Sequence, residues 1–236
     1  EGYTEDNITI REHTLLKNAV EFIYDEVPLE LDVDGNDDGY VDNVTFLVSG
    51  SPDDWSDLLW PHRWSLFSFN VFLNGSIVDS YNLNLASGGY FNVGTLCHEF
   101  FHSLGGPDLY HYAGSGPTAA GGWDIMDSSS NTPQYMGAWM KHKYGNWIDC
   151  PEITQLGIYP LLPLQYQETS CFRISSPNSN NEFFVVEYRK KEGIYEINTP
   201  GNYSGMLVYR INGNLNGNAD GPPDEVYVYR PGGTTT

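Results

Sequence analysis

The stretch Cys97-His98-Glu99-Phe100-Phe101-His102-Ser103-Leu104-Gly105-Gly106-Pro107-Asp108 decides how this chain reads. Val93 to Leu104 has the pattern of a helix, ended by Gly105, Gly106 and Pro107. Residues four apart share a helix face, so His98 and His102 can aim their imidazoles at one metal ion, with Glu99 beside the open coordination position. Gly105 permits a sharp turn at positive φ, and Asp108 beyond that turn makes sense as a third ligand. His111 is the rival third ligand, farther on and without a turn to bring it round. Zinc in such a site lowers the pKa of water to about 7, and Glu99 can take the proton and pass it to a leaving amine. The competing reading is an accident of an amphipathic helix, each His an ordinary surface or core residue. The continuation through Gly105 and Asp108 weighs against accident.

Working outward, the 236-residue chain is long enough for one large domain or two small ones, and 40% hydrophobic residues can fill a core. Thirty-one acidic against eleven basic residues give a net charge of −20, which argues against nucleic acid or an anionic membrane as partner. No run reaches the roughly 18 apolar residues of a membrane span, and residues 1–20 lack the form of an export signal. Few lysines with many Asn, Gly and Tyr suggest an exported, secreted or cell-surface protein. A polypeptide is the substrate expected for the metal site, and the expected state is a monomer. Cys97 reads as a small core residue. Cys150 and Cys171 flank a stretch that a disulfide can close, and the pairing stays open because spacing does not show the geometry a disulfide needs.

Upstream, Leu15, Leu16, Ala19, Val20, Phe22 and Ile23 recur at helical spacing between Arg11 and Val27, and Pro28 stops them, predicting a helix that backs a sheet. Val44 to Val48 reads as a buried strand. Leu66 to Leu73 and Ile77 to Leu85 read as two more, joined by a hairpin at Asn74-Gly75. Downstream, 113–133 reads as loop and Gln134 to Tyr144 as a helix ending at Gly145. Beyond Cys150, runs such as Phe183 to Tyr188, Met206 to Ile211 and Val226 to Tyr229 predict antiparallel strands, and the Asn-rich 212–218 a solvated loop. The fold class is thus α+β: a twisted mixed sheet with backing and motif helices in a core of 1–148, and a β-rich part at 149–236 packed on it. The chain is expected to be a processed form or a truncated piece.

A second candidate metal site lies in Asp32-Val-Asp34-Gly-Asn36-Asp-Asp38-Gly39-Tyr40-Val-Asp42, where oxygen side chains alternate before a Gly. Asp34, Asn36, Asp38, the Tyr40 carbonyl and Asp42 follow the first half of a calcium loop, although position twelve is Thr45 and not Glu. The bland reading is a charged surface loop.

The extended pattern His-Glu-x-x-His-x-x-Gly-x-x-Asp resembles the immune inhibitor A family of secreted, metzincin-like metallopeptidases. Trp60-Pro-His62-Arg-Trp64, Pro107-Asp-Leu-Tyr110, Trp123-Asp-Ile-Met126 and Asn181-Glu-Phe-Phe-Val-Val-Glu187-Tyr-Arg189 resemble further family segments. The resemblance runs from about Asp32 to Arg210. It implies His98, His102 and Asp108 as zinc ligands, Glu99 as general base and acid, and Met126, otherwise a core residue, as the floor beneath the metal. Two positions depart from the family: Phe101 stands where Gly is frequent, and Gly106 where Leu is. The implied function is a zinc endopeptidase. Its rivals are a binding or adhesion module on a peptidase scaffold and a zinc hydrolase of a non-peptide amide or ester.

Overall fold

The computed structural model describes residues 7–49, 60–86, 89, 91–114, 118–166 and 169–230. They form two compact units, Glu1–Ser103 and Leu104–Thr236. This spatial boundary precedes residue 148, because the short helix near 140 bonds to the C-terminal sheet: the Ala138 N–H donates to Glu187 Oε2 at 2.6 Å and the Trp139 indole to Glu225 Oε1 at 2.8 Å.

The first unit opens with helix α1, Ile8–Ile23, followed by a tight turn at Tyr24–Glu26. Val27 is already extended, as the residue before a proline prefers, so the helix ends short of the expected Val27. Its core face also differs from expectation. Glu12, His13, Leu16 and Val20 are buried, whereas Leu15, Phe22 and Ile23 are exposed. The reason is Glu12, whose carboxylate accepts from His62 and from the Tyr81 hydroxyl and thereby turns the 12-16-20 line inward.

Strands β1 (Val44–Val48), β2 (His62–Ser65), β3 (Phe72–Leu73), β4 (Ser76–Ile77) and β5 (Ser80–Leu85) follow. β5 lies between β1, which runs parallel to it, and β2, which runs antiparallel, so the sheet is mixed as expected. β1 is an edge strand and only half-buried, with Thr45 and Leu47 outward. No strand spans Leu66 to Leu73. The chain turns at 67–69, and Leu66 and Val71 reach the core from either side of it. Likewise Ile77 to Leu85 breaks at Val78-Asp79, where Val78 N–H bonds Val71 and the Asp79 carbonyl accepts Leu66 N–H. The Asn74-Gly75 hairpin is present, both residues at positive φ as a two-residue turn requires. Leu16 and Val20 of α1 meet Val78, Tyr81, Leu83 and Leu85 in one cluster, which confirms a helix backed on the sheet.

In the second unit, α3 covers only Ala138–Lys143, because the Asp124 carboxylate takes the Gly137 N–H and holds the chain extended before the helix. Strands β6 (Cys171–Ser175), β7 (Glu182–Arg189), β8 (Gly205–Asn212) and β9 (Val226–Val228) form an antiparallel meander in that order. Cys150 and Cys171 are thiols in hydrogen-bonding contact, and Cys171 also donates to the Asp149 carbonyl. Contact with Cys150 and burial raise the Cys171 pKa.

Candidate metal centre

Helix α2 runs Val93–Ser103, one residue short of expectation. Asn92 starts it, its Oδ1 accepting the Thr95 N–H at 3.0 Å. Gly94, His98, Glu99 and Phe101 are buried while Cys97 is exposed. The expectation of Cys97 as a core residue is therefore corrected: it lies off the buried line of 94, 98 and 101.

The two imidazoles meet edge to face, with ring centroids 4.8 Å apart and Nε2 atoms 3.2 Å apart. A tetrahedral ion with Zn–N bonds of about 2.0–2.1 Å sets its two nitrogens about 3.3–3.4 Å apart. The imidazoles thus already stand at the spacing of two ligands on one zinc. Among the described residues, His98, His102 and Asp108 form a group whose ligand atoms all lie within 4.8 Å of one another. Two nitrogens and a carboxylate oxygen are a donor set that suits zinc and leaves a fourth position open.

Gly105 supplies the turn between His102 and Asp108 at φ 93°, with open space where a Cβ would stand. An alanine there meets no neighbour, so its cost is conformational, about 1–3 kcal/mol. Gly105→Ala is expected to lower the unfolding free energy by that amount and to weaken zinc retention, read by urea melts with and without zinc. A melt indistinguishable from wild type would show that the turn does not need its left-handed residue.

Asp108 is held from several directions. Its Oδ2 accepts the Tyr112 hydroxyl at 2.6 Å, and burial together with this carboxylate raises the Tyr112 pKa, keeping the phenol a donor. Its carbonyl accepts the Asn218 N–H at 2.8 Å, and Asn218 Nδ2 donates to the Leu109 carbonyl at 3.0 Å. Leu109 N–H donates to Met126 O at 2.9 Å. A Cβ on Gly217 would stand 2.6 Å from Pro107 Cβ and 2.7 Å from Asp108 O, so glycine is required for this approach. Gly213, Asn214 and Asn216 are exposed, as the solvated-loop reading of 212–218 expects, but its end departs from that reading, with Gly217 buried and Asn218 fully buried. Its role escaped sequence reasoning because its partners lie some hundred residues away.

Met126 is fully buried. Asp124 beside it accepts N–H bonds from Met126 and Gly137, and burial, opposed by those bonds, raises its pKa to about 6. Arg189 ties this loop to β7, donating to the Trp123 carbonyl at 3.0 Å.

A model of the immune inhibitor A peptidase M6 catalytic domain matches residues 23–148, more than half of the chain. The chain belongs to this family. It carries a metallopeptidase catalytic domain, and a peptidase acts on polypeptide. The segment Asn181–Arg189, expected to resemble a further family segment, lies beyond the matched residues. No curated protein and no solved structure matches the chain.

Other candidate residues of this M6 peptidase are not members of the three-residue group. His111, the rival ligand, bonds Asp224 through Nε2 at 2.6 Å. His62 bonds Glu12 and the Trp60 carbonyl. In the acidic loop, Asp34 accepts the N–H groups of Asp38 and Gly39 and the Ser76 hydroxyl. Asp38 accepts Tyr40 N–H, Asn36 accepts Asp38 N–H, and Asp42 accepts Gly35 N–H. The oxygens expected to bind calcium thus hold the loop's own turns, and the calcium reading gains no support. Phe101, a departure from the family pattern, is buried in the core. Among the described residues no helix is long and apolar enough to cross a membrane.

Proposed function

We propose that the chain is a secreted zinc endopeptidase that hydrolyses peptide bonds in protein substrates, with residues 1–148 as its catalytic core and 149–236 as a β-rich part. His98, His102 and Asp108 hold the zinc, and Met126 floors the site. The 3.2 Å Nε2 separation, with a ligand atom of Asp108 within 4.8 Å of both imidazoles, supports this reading. When bound, zinc supplies Lewis acidity toward water and the scissile carbonyl. Glu99, next to His98 on α2 and 6% exposed, removes a proton from the attacking water at its carboxylate and delivers it to the leaving amine nitrogen. Tyr112 and Asn218, both of the second unit, hold the carboxylate and the backbone of residue 108. Secretion accords with the acidic, Asn- and Tyr-rich composition.

Digestion of an unfolded protein such as casein tests the proposal. Cleavage that a chelator abolishes and added zinc restores is expected. Chelator-resistant cleavage would remove the metal from the mechanism, and no cleavage by zinc-loaded protein would favour a binding module or a non-peptide hydrolase.

A further inference from the structure

A cavity of about 380 Å³ opens between the first turns of α1 and strand β2. α1 contributes Ile8, Thr9 and Glu12 to it, and the other side contributes Trp60, His62 and Trp64. Its volume is in the range of pockets that hold small ligands. Trp60 is 50% exposed and Trp64 41% exposed, although indoles are among the more buried side chains of folded proteins. Two half-bare indoles on one cavity wall offer a large rigid apolar surface with little ordering cost.

Glu12, His62 and Arg63 of the cavity are engaged within the protein. The Glu12 carboxylate accepts His62 Nε2 at 3.1 Å and the Tyr81 hydroxyl. Burial lowers the His62 pKa, but the hydrogen bond and charge of Glu12, the Trp60 carbonyl and the charge of Glu99 outweigh it, and the net shift is upward. Arg63, also on the wall, is turned toward Ser80 Oγ at 3.1 and 3.3 Å. A charged guest finds Glu12 and His62 already bonded to each other, whereas an apolar guest gains the burial of its own surface and that of the indoles.

The cavity is also next to the chemistry. β2 pairs with β5, α2 packs against both, and His62 is near enough to Glu99 to respond to its charge.

We propose that this cavity is a substrate subsite that takes a bulky apolar side chain, aromatic foremost, between Trp60 and Trp64. The inference rests on the peptidase reading for its place in the reaction, and its binding chemistry can be tested apart from it. Two measurements decide it. In the first, zinc-loaded wild type cleaves a peptide series that varies one position among Phe, Leu, Ala, Arg and Glu. The kcat/KM ratio of Phe to Ala is expected to be about 10-fold or more, and to fall toward unity in Trp60→Ala. Trp64 also packs on His13 and Phe67, so Trp64→Leu serves as the second variant and thermal melts accompany both. In the second, fluorescence anisotropy follows the same peptides binding to Glu99→Gln, with and without Trp60→Ala. Phe peptides should bind more tightly than Ala peptides, and the second substitution should erase the difference.

Preference for Arg or Glu, no preference, or a preference unchanged in folded Trp60→Ala and Trp64→Leu would overturn the subsite and leave the peptidase reading standing. If wild type cleaves nothing, the peptidase reading fails and the anisotropy series still decides what the cavity binds.

Discussion

Glu99→Gln retains zinc and loses peptidase activity by about 100- to 10,000-fold, the range that a positioned general base contributes. The amide keeps the size and can keep the hydrogen bonds of the carboxylate but does not take up a proton near neutral pH. The imidazoles of His98 and His102 are untouched by the change, so metal content and melting temperature should stay near wild type. That combination separates the roles: ligands would be lost with the metal, a base would be lost alone. Activity equal to wild type would remove Glu99 from the mechanism, and loss of zinc along with activity would assign it a structural role.

Arg189→Met is expected to cost about 3–5 kcal/mol, the price of leaving buried charges without their partner. Arg189 is 2% exposed, and Glu187 and Glu196 are fully buried on either side of it. Its Nε and Nη2 donate to Glu196 at 2.9 and 2.7 Å, and its Nη1 donates to Glu187 at 3.0 Å. Nη1 also donates to the Trp123 carbonyl and Nη2 to the Tyr135 carbonyl at 3.2 Å. Methionine fills much of the space and supplies none of these donors. Against a typical total stability of about 5–15 kcal/mol, such a loss brings the protein near unfolding. Arg189→Lys should recover part of it, since one ammonium does not reproduce the fork. Urea denaturation reads the effect, and a change below about 1 kcal/mol would show that the two carboxylates find other partners. Because Trp123 and Tyr135 flank the Met126 segment, activity should fall in Arg189→Met even where the protein remains folded.

The segment 93–108 was legible in the sequence because its signals are local: four-residue spacing sets one helix face, and a glycine at positive φ is required where the chain must leave the helix. The Asn74-Gly75 hairpin and the meander of β7, β8 and β9 were legible for the same reason, since turn chemistry and short apolar runs are read within a few residues. What failed depended on distant partners. The face of α1 is chosen by Glu12 bonding His62 and Tyr81, and an apolar count over Leu15, Phe22 and Ile23 carries no trace of it. The run from Leu66 to Leu73 has a strand's composition, yet it turns between two buried ends. Asn218 looked like part of a solvated loop, and its clamp on Asp108 and Leu109 is set by the C-terminal fold. Asp34 and its neighbours show a related ambiguity, because carboxylates spaced for calcium are also spaced to cap the N–H groups of their own turns.

Zinc held by His98, His102 and Asp108 is the basis of the proposed activity. Zinc content after dialysis, measured for wild type and for Asp108→Ala, tests it. Stoichiometric zinc in wild type and a substantial loss in a folded Asp108→Ala protein are the predicted result. Wild type without zinc, or Asp108→Ala that retains it with unchanged affinity, would contradict the centre formed by His98, His102 and Asp108.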